Sequence, residues 1–394
     1  MSGRHIDSTA WKAVFGRDTN IGKVLQLLED MEKDAREGLF AEKYLPMVQE
    51  AQKGGEKVFL SVLTRTQGRR IQELREVFLC LSAQTDGDFE LLLVGHRLSD
   101  AQAEEIRGVI AEQPEELKRR VRFLRLDYGG RAAPLNFGFA HSRGEYVAVL
   151  DDDDIVFDHW VEEFHRAAGE HPGTVLHAYA ARQRWMKLDR GEPAGNLRAC
   201  GRPENVYCRP FSWPGQMDSN QCPLLGLAFP ADLFRKLGLM FDESLTTTED
   251  WDYLQRAAML AGVSEIPKVT SIYRWWQNAE SSRTVHSREE WEQNYRRIRK
   301  KMSSGLLLFP EAGTEQLFEL FHPSGIVEKY IEKQGGWDAF AQNVHFKDVR
   351  RFMALYLKSK LRKILGVTPS EKVSFRDVKR IVLLYARRKL RKRI

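Results

Sequence analysis

The sequence lacks several features that would place it in common classes of protein. Its four cysteines, Cys80, Cys200, Cys208 and Cys222, are too few for a disulfide framework in a chain of 394 residues. Their spacing also argues against a structural zinc site. No stretch reaches the roughly 18 apolar residues of a membrane span, and Met1–Asn20 contains no apolar core of a secretory signal. We therefore expect a cytoplasmic protein that is at most peripheral on the inner face of the cell membrane.

Two common phosphate-binding motifs are also absent. There is no GxxxxGK[ST], which excludes a P-loop, and no GxGxxG follows the first predicted strand. A nucleotidyltransferase would need a glycine-rich loop with Lys or Arg after that strand. Gln67–Arg70 is a poor version of such a loop, so this alternative is weak.

What the sequence does contain is a strong charge asymmetry. The net charge is +6, but Lys347–Ile394 holds 17 Lys and Arg against 3 Asp and Glu, so residues 1–346 carry a net charge of −8. A basic tail on a mildly acidic body predicts an anionic partner for the tail alone.

The middle of the chain alternates between strand and helix patterns. Apolar runs predict strands at 58–63, 89–94, 121–126 and 145–150, and segments with helical spacing lie between them. A further strand is predicted at 269–273. This alternation is typical of a doubly wound, parallel α/β sheet.

The fourth predicted strand runs directly into Asp151, Asp152, Asp153 and Asp154. Adjacent carboxylates repel each other unless a cation is close, and the carboxyl end of a parallel strand is where open α/β sheets bind ligands. Mg²⁺ is usually held by one or two carboxylates together with substrate phosphates. The run therefore indicates a metal–diphosphate site, and the alternative is a solvated acidic turn that caps the next helix.

Several motifs in order resemble the inverting family 2 glycosyltransferases of the GT-A fold. The turn Thr64–Arg69 follows the first strand, and Gly130, Asn136 and Gly138 precede the acidic strand. Further along, Thr248–Leu254 resembles the acidic pair that this family places near the acceptor. Each motif alone is weak, but their order together with the strand–helix alternation makes the resemblance specific.

The resemblance implies a fold and a reaction. The fold is an α/β, GT-A (Rossmann-like), mostly parallel sheet flanked by helices over residues 57–300. Added helices at 1–56 and a basic helical region at 301–394 complete the chain. The implied reaction moves a hexosyl, deoxyhexosyl or N-acetylhexosaminyl group from a nucleotide-diphosphate sugar to a hydroxyl of a glycan or lipid-linked acceptor, as in surface polysaccharide biosynthesis. Mn²⁺ or Mg²⁺ would neutralise the leaving diphosphate.

The resemblance also implies roles for individual residues. Asp250 is the candidate catalytic base, and the alternative at a helix start is a capping acid. The implied nucleotide and donor contacts are Thr66, Arg69, Gly130, Asn136, Asp151, Asp152 and Arg274. The implied metal ligands are Asp153 and Asp151, and His286 is a further candidate ligand whose alternative is a structural histidine. The implied acceptor contacts are Glu249, Trp275 and Trp276.

The chain departs from the family after the second strand. The turn Val94–Asp100 has no carboxylate at the place where the family holds the nucleotide base, so the base stays open. This loss favours an alternative function, a non-catalytic glycan- or membrane-binding scaffold on a decayed GT-A fold. The intact Asp151, Asp153 and Asp250 favour the enzyme.

The basic tail predicts two amphipathic helices after Phe346, separated at Pro369. Basic amphipathic helices are typical of elements that lie on anionic membranes, and a solvated helical face is the alternative. Nucleic-acid binding is disfavoured because no aromatic–basic pattern of a known module is present. The N-terminal helices could add a layer to the fold or form an oligomer contact.

Overall fold

A computed structural model describes residues 38–188, 197–278, 285–304, 313–317, 326–364 and 375–391. The chain divides into two compact units, Met1–Phe309 and Pro310–Ile394. The boundary that the sequence predicts after residue 300 falls inside a helix of the first unit. The helices predicted before residue 38 lie outside the described residues.

The first unit is built on a single mixed sheet. Within the described residues its strands are β1 (Leu60–Thr66), β2 (Phe89–His96), β3 (Val121–Leu126), β4 (Tyr146–Val149), β5 (Ile155–Val156), β6 (Val175–Lys187), β7 (Leu197–Ala199), β8 (Glu204–Tyr207), β9 (Leu227–Pro230) and β10 (Val263–Trp276).

The strand order is β3-β2-β1-β4-β9-β6-β10-β5, and β7 and β8 both pair with β6. Strands β3, β2, β1 and β4 run parallel to one another. Strand β9 then runs antiparallel to both β4 and β6, while β6 and β10 are parallel. The predicted α/β fold class is confirmed, and the parallel pairs are those among β1 to β4 and the pair of β6 and β10.

Helices cover both faces of this sheet. In the described part of the first unit they are α1 (Leu45–Lys53), α2 (Ile71–Ser82), α3 (Asp100–Ala111), α4 (Glu115–Arg120), α5 (Ala133–His141), α6 (Trp160–Glu170), α7 (Trp213–Asp218), α8 (Ala231–Arg235), α9 (Glu249–Ala261) and α10 (Arg288–Ser304). A π-helical turn, Phe40–Tyr44, precedes α1, and a 3₁₀ turn, Leu224–Gly226, precedes β9.

Each face of the sheet has its own apolar core. Helices α5, α8 and α9 pack on one face, and α2, α3 and α6 pack on the other. Helix α5 lies so close to β1 that a Cβ atom at Gly138 would come within 2.3 Å of Leu63 Cδ1. Phe40, Tyr44 and Val48 belong to the first core. The described part of the predicted N-terminal extension is therefore packed on the sheet as a layer of the same unit.

The first four strands lie within three residues of their predicted bounds, and helices lie between them as predicted, with α4 as an additional helix that was not predicted. Strand β10 is longer than predicted, because it begins at Val263 and continues to Trp276. Arg274, Trp275 and Trp276 are consequently strand residues, with the rigidity of a paired segment, and do not belong to a following loop.

The second unit is helical within its described residues. It contains a short helical stretch at 313–317, followed by α11 (Ile326–Lys333), α12 (Gly336–Asn343), α13 (Phe346–Ile364) and α14 (Phe375–Arg391). Helices α13 and α14 confirm the two predicted after Phe346. The apolar stripe predicted along α13 divides: Val349 and Tyr356 pack into a core of this unit, whereas Met353 and Leu357 are exposed. Among the described residues, no helix is long and apolar enough to cross a membrane.

Candidate functional site

The candidate site lies where the parallel strands end. Thr66 closes β1, His96 closes β2, Gly130 follows β3, and the acidic run begins one residue after Leu150. Carboxyl ends of parallel strands meet at one edge of a sheet, which is where such sheets bind ligands. The chain order of β1 to β4 therefore brings these segments together.

Two adjoining cavities open at this edge. The wide cavity, of about 440 Å³, is lined by Arg65, Thr66, Gln67, Arg69, Arg70, His96, Arg97, Gly129, Gly130, Arg131, Pro134, Asp151, Asp152, Asp153, Asp154, Tyr273, Arg274, Trp276, Val285 and His286. The narrow cavity, of about 190 Å³, is lined by Arg65, Arg131, Asp151, Asp154, Tyr207, Asn220, Pro223, Leu224, Leu225, Thr247, Thr248, Glu249, Asp250, Tyr273, Arg274, Trp275, Trp276 and Trp291. Seven residues line both, so the cavities share a wall.

The four aspartates of the run have different partners. Asp151 Oδ1 accepts a hydrogen bond of 2.9 Å from Arg65 Nε, and Asp152 Oδ2 accepts one of 2.6 Å from Thr66 Oγ1. Asp153 pairs with Arg70 and also accepts a hydrogen bond of 2.7 Å from Trp276 Nε1. The run is therefore an ordered part of the cavity wall.

Asp154 turns toward β10, because its Oδ1 accepts a hydrogen bond of 2.9 Å from the backbone N–H of Arg274. This contact joins the end of the acidic run to the strand that carries Arg274 and Trp276. The wide cavity is thus closed on one side by two segments about 120 residues apart in the sequence.

The carboxyl groups of the run also differ in their affinity for protons. Burial and the charge of Asp153 raise the pKa of Asp152 to about 7. Burial and the charge of Asp153 likewise hold the pKa of Asp154 well above its usual range. Burial acts on Asp151 too, but the charge of Arg65 outweighs it and lowers the pKa of that carboxyl. The run holds more negative charge than its environment stabilises, which favours binding of a cation.

Arg65 links the acidic run to the second acidic motif. Its Nη1 donates to Glu249 Oε1 at 3.1 Å and to the backbone oxygen of Arg131 at 3.0 Å. Arg131 Nε donates to the same Glu249 oxygen at 2.6 Å. Glu249 is 1% exposed and is surrounded by these two arginines. Its Oε1 is therefore engaged with both arginines, while Glu249 also lines the narrow cavity, so its contact with an acceptor stays a prediction.

Asp250 occupies the second position of α9 and lines the narrow cavity. Its Oδ1 accepts from the backbone N–H of Trp251 at 2.8 Å, and its Oδ2 accepts from Asn220 Nδ2 at 2.9 Å. Burial and the neighbouring charge of Glu249 raise the pKa of Asp250 to about 6. Such a carboxylate is ionised at neutral pH yet accepts a proton more readily than an ordinary aspartate.

The residue before this helix has an unusual backbone. Thr248 has φ 63° and ψ 18°, which is the left-handed region, and its side chain makes no capping hydrogen bond to the helix. A β-branched residue pays an energetic cost there, and such strain is concentrated at functional sites. This conformation places Glu249 and Asp250 in the first turn of α9, where both line the narrow cavity.

Arg274 is buried, with 3% of its surface exposed, and it lines both cavities. Its Nη2 pairs with Glu76, and its guanidinium lies 4.1 Å from the centre of the Trp185 ring. Its Nε and Nη1 have no hydrogen-bond partner within the described residues. A buried N–H group without a hydrogen-bond acceptor destabilises the fold. An anion bound next to Arg274 in the cavity would accept from these two groups.

The aromatic residues divide between two tasks. Trp276 donates to Asp153 and therefore supports the acidic run, and because it also lines the narrow cavity, its role as an acceptor contact stays a prediction. Trp275 lines the narrow cavity, with the Arg182 guanidinium 4.3 Å from its ring centre, and its contact with an acceptor stays a prediction. Tyr207 and Trp291 line the same cavity. The narrow cavity thus combines ring faces with the carboxylate of Asp250.

The other residues that were predicted to contact the sugar nucleotide do not all line the wide cavity. Thr66, Arg69 and Gly130 line the wide cavity. Asn136 does not: it is fully buried, and its amide bonds to the backbone N–H and oxygen of Phe241 and to Glu243. Its prediction as a donor contact is therefore corrected to a role in attaching α5 to the segment before α9.

The side chains that line the wide cavity limit how a divalent cation could be held there. Among the described residues, no three His, Cys, Asp or Glu side chains converge as a ready-made metal cage. Asp151 and Asp153 both line the wide cavity, and the run is over-rich in negative charge. His286 lines the same cavity, but its Nδ1 is engaged with Glu290 at 3.0 Å. The residues suit a cation shared between one or two carboxylates and a diphosphate.

Sequence reasoning missed four polar residues that organise the site: Arg65, Arg70, Arg131 and Asn220. Arg65 is the second-last residue of β1 and Arg70 lies in the turn after it, so their position at the strand end was a usable signal. Arg131 and Asn220 meet the acidic motifs only through contacts 118 and 30 residues away. No local pattern indicates such pairs.

Comparison with known sequences finds a family match for one region of this chain. The family profile described as Glycosyl transferase family 2 matches residues 61–207. EpsH of Bacillus subtilis (strain 168), whose name assigns it provisionally to the glycosyltransferases, is 29% identical over 108 residues. That alignment covers 27% of this chain and 30% of EpsH, so the match spans under one third of this relative.

Solved structures of S. aureus TarS are also similar. TarS 1–349 in complex with UDP-GlcNAc gives a TM-score of 0.48 at 16% identity, covering 84% of this chain and 92% of that one. The complex with UDP gives 0.47 at 17% identity, covering 84% and 91%. A longer TarS structure gives 0.46 at 15% identity, and the match covers 73% of this chain and 48% of that one.

Proposed function

We propose that this chain is an inverting glycosyltransferase that uses a nucleotide-diphosphate sugar, since residues 61–207 match the family profile described as Glycosyl transferase family 2. The observation that carries the proposal is the shared wall of the two cavities. Asp151 and Arg274 line both, while Asp250 lines only the narrow one. A diphosphate in the wide cavity and a hydroxyl in the narrow cavity would therefore face each other across the sugar.

The wide cavity has the chemistry of a nucleotide-diphosphate site. Arg274 presents two unpartnered donors from a rigid strand, and a planar guanidinium suits phosphate oxygens. Thr66, Arg69 and Gly130, at the end of β1 and after β3, form another part of its wall. Asp151 and Asp153 would hold Mn²⁺ or Mg²⁺, which supplies charge neutralisation to the departing diphosphate.

The narrow cavity has the chemistry of a hydroxyl-activating site. The acceptor hydroxyl would pass its proton to the Asp250 carboxylate as its oxygen bonds to the anomeric carbon. The bond from that carbon to the diphosphate oxygen breaks, and the nucleoside diphosphate leaves with the electron pair. One displacement inverts the anomeric centre. Trp275 and Trp291 in the wall suit the face of a sugar ring, which favours a glycan acceptor.

The function is tested by incubating the full chain with UDP-N-acetylglucosamine, UDP-glucose, GDP-mannose and dTDP-rhamnose. With Mn²⁺ or Mg²⁺ we expect at least one to be turned over to its nucleoside diphosphate, slowly with water as acceptor and faster with a glycan. EDTA should abolish turnover and an excess of Mn²⁺ restore it. Binding without turnover of any sugar, with or without glycan acceptors, would favour a non-catalytic scaffold.

We also propose that the second unit binds an anionic membrane surface, as a lipid-linked acceptor would require. Helix α13 exposes Phe346, Met353 and Leu357, at 60%, 43% and 59%, on a face that also exposes Arg350. Apolar side chains among basic ones are typical of helices that lie in the membrane interface. The net positive charge of this region supplies the electrostatic attraction.

Vesicles with and without phosphatidylglycerol test this surface on the full chain. We expect pelleting that depends on the anionic lipid and weakens in salt, and that falls in the Met353→Asp/Leu357→Asp variant. The control is Leu79→Asp, because Leu79 is 68% exposed on α2 of the first unit. Equal pelleting of all three proteins would contradict the proposal.

A further inference from the structure

We infer that Asn220 is the positioning residue of the catalytic base, holding the Asp250 carboxylate in one orientation in the narrow cavity. The inference rests on the proposed function, because it takes Asp250 to be that base. Asn220 follows α7 by two residues and is 30 residues from Asp250 in the sequence.

The amide of Asn220 is itself oriented. Its Oδ1 accepts a hydrogen bond of 3.3 Å from the backbone N–H of Cys222, so the Nδ2 group must point the other way. That group donates to Asp250 Oδ2 at 2.9 Å. Asp250 Oδ1 is held by the backbone N–H of Trp251 at 2.8 Å. Each carboxylate oxygen thus has one fixed donor, and each keeps a second lone pair for a further contact.

The segment that carries Asn220 is braced by neighbouring elements. Trp251 Nε1 donates to the backbone oxygen of Gln216 at 2.6 Å. From α10, the Tyr295 hydroxyl donates to the backbone oxygen of Asp218 at 3.0 Å. The two rings stack with centres 5.3 Å apart. Trp251 also donates its backbone N–H to Asp250. The segment that carries Asn220 and the carboxylate that Asn220 contacts are therefore both hydrogen-bonded to Trp251.

The charges around Asp250 explain why a neutral donor is suited to this place. Glu249 opposes its ionisation, while Arg131 and Arg65 favour it, and burial opposes it. The charge of Asp250 also raises the pKa of Tyr273, after burial and the charges of other neighbours. Asn220 donates to the ionised carboxylate, which favours that form, but it adds no charge. A Lys or Arg there would pair with Asp250 and weaken it as a proton acceptor.

The test is the pH profile of turnover in Asn220→Ala and Asn220→Asp, using UDP-N-acetylglucosamine or whichever sugar nucleotide the wild-type protein consumes. In Asn220→Asp a second carboxylate beside Asp250 should move the acid limb of the profile up by about one pH unit or more. In Asn220→Ala the lost donor should move it up by less. The KM for the sugar nucleotide should stay within about twofold in both. Asn343→Ala, which removes a hydrogen-bonded Asn from α12, is the matched control.

Two kinetic results would overturn the inference alone. The first is that Asp250→Asn loses turnover while both Asn220 variants keep the acid limb of the wild-type pH profile. A loss of rate that is uniform across pH would be the other, since it indicates a merely structural role. A crystal structure with Asn220 Nδ2 beyond hydrogen-bond distance of Asp250 would have the same consequence. A wild-type protein without any turnover would instead overturn the proposed function, and this inference with it.

Discussion

Arg65 Nε lies 2.9 Å from Asp151 Oδ1, and this contact makes the first aspartate of the run unlike the second. Asp151 is stabilised in its charged form by the arginine, whereas Asp152 is destabilised in its charged form by burial and by Asp153. Two adjacent residues of the same type therefore contribute to stability with opposite signs.

The first prediction concerns the pH dependence of stability in Asp152→Asn. The pKa of Asp152 is about 7 in the folded protein, so the folded state binds its proton more tightly than the unfolded state does. Ionisation of Asp152 therefore lowers the free energy of unfolding as the pH rises from about 4 to 7. Asp152→Asn should therefore gain free energy of unfolding relative to wild type between about pH 5 and pH 8, by roughly 1–3 kcal/mol. Urea unfolding at the two pH values measures this change.

Asp151→Asn is the matched control for that prediction. Because the folded pKa of Asp151 is lowered, its stabilisation is complete above the unfolded pKa of about 3.9 and is lost only in stronger acid. The variant should be less stable than wild type by about 1–3 kcal/mol, equally at about pH 5 and pH 8. A parallel response of both variants to pH would contradict the opposite signs assigned here.

The second prediction is that Asp250→Asn folds and binds nucleotide but loses turnover by about 10²–10⁴-fold. The wild-type rate should fall as the pH drops below about 6, since burial and Glu249 place the pKa of Asp250 there. Steady-state rates across pH measure both effects. Asp252→Asn, two residues later on α9 and paired with Arg256 and Lys301, is the control for damage to the helix. Near-normal turnover in Asp250→Asn would remove it as the base.

The third prediction is that Arg274→Lys weakens binding of UDP or GDP by about 10–100-fold. An ammonium group cannot reproduce the planar fork that meets phosphate oxygens or the stacking on Trp185. Calorimetric titration measures the change. Arg182→Lys is the matched control, because Arg182 stacks on Trp275 from β6 but lines neither cavity. An unchanged affinity in Arg274→Lys would show that the unpartnered donors do not serve the phosphates.

The fourth prediction compares two adjacent threonines. Thr248→Gly should leave stability unchanged or raise it by up to about 1 kcal/mol, because glycine adopts a positive φ without steric cost. Thr247→Gly should lower stability by about 1–3 kcal/mol, since it removes the hydroxyl that accepts from Asn294 Nδ2 at 2.9 Å. Chemical denaturation ranks the two variants. A larger loss in Thr248→Gly would mean that the left-handed residue is not strained.

Some of the site was predictable because its signals are local. The apolar run ending in Asp151 to Asp154 and the start of α9 at Glu249 depend on patterns within about ten residues. The parallel order of β1 to β4 follows from the alternation of strands and helices. These features place the acidic run at the edge of the sheet without any knowledge of distant contacts.

Other predictions depended on which distant groups meet, and there local patterns were insufficient. The position of Asn136 in its motif predicts a contact with the sugar nucleotide. Its amide is instead hydrogen-bonded to Phe241 and Glu243. Along α13, one amphipathic pattern divides into core residues and exposed ones, since helical spacing does not say which side a neighbour covers.

The sequence by itself determined the alternation of the elements, the acidic groups at the strand end and the charge of the tail, because side-chain periodicity and charge are properties of neighbouring residues. Only the tertiary structure decided that Arg65 and Arg131 enclose Glu249, that Trp276 supports Asp153 and that Asn220 holds Asp250. Each of these contacts joins segments that the chain order leaves far apart. Their meeting depends on how the whole sheet and its helices pack, and packing is a collective property that no short stretch of sequence contains.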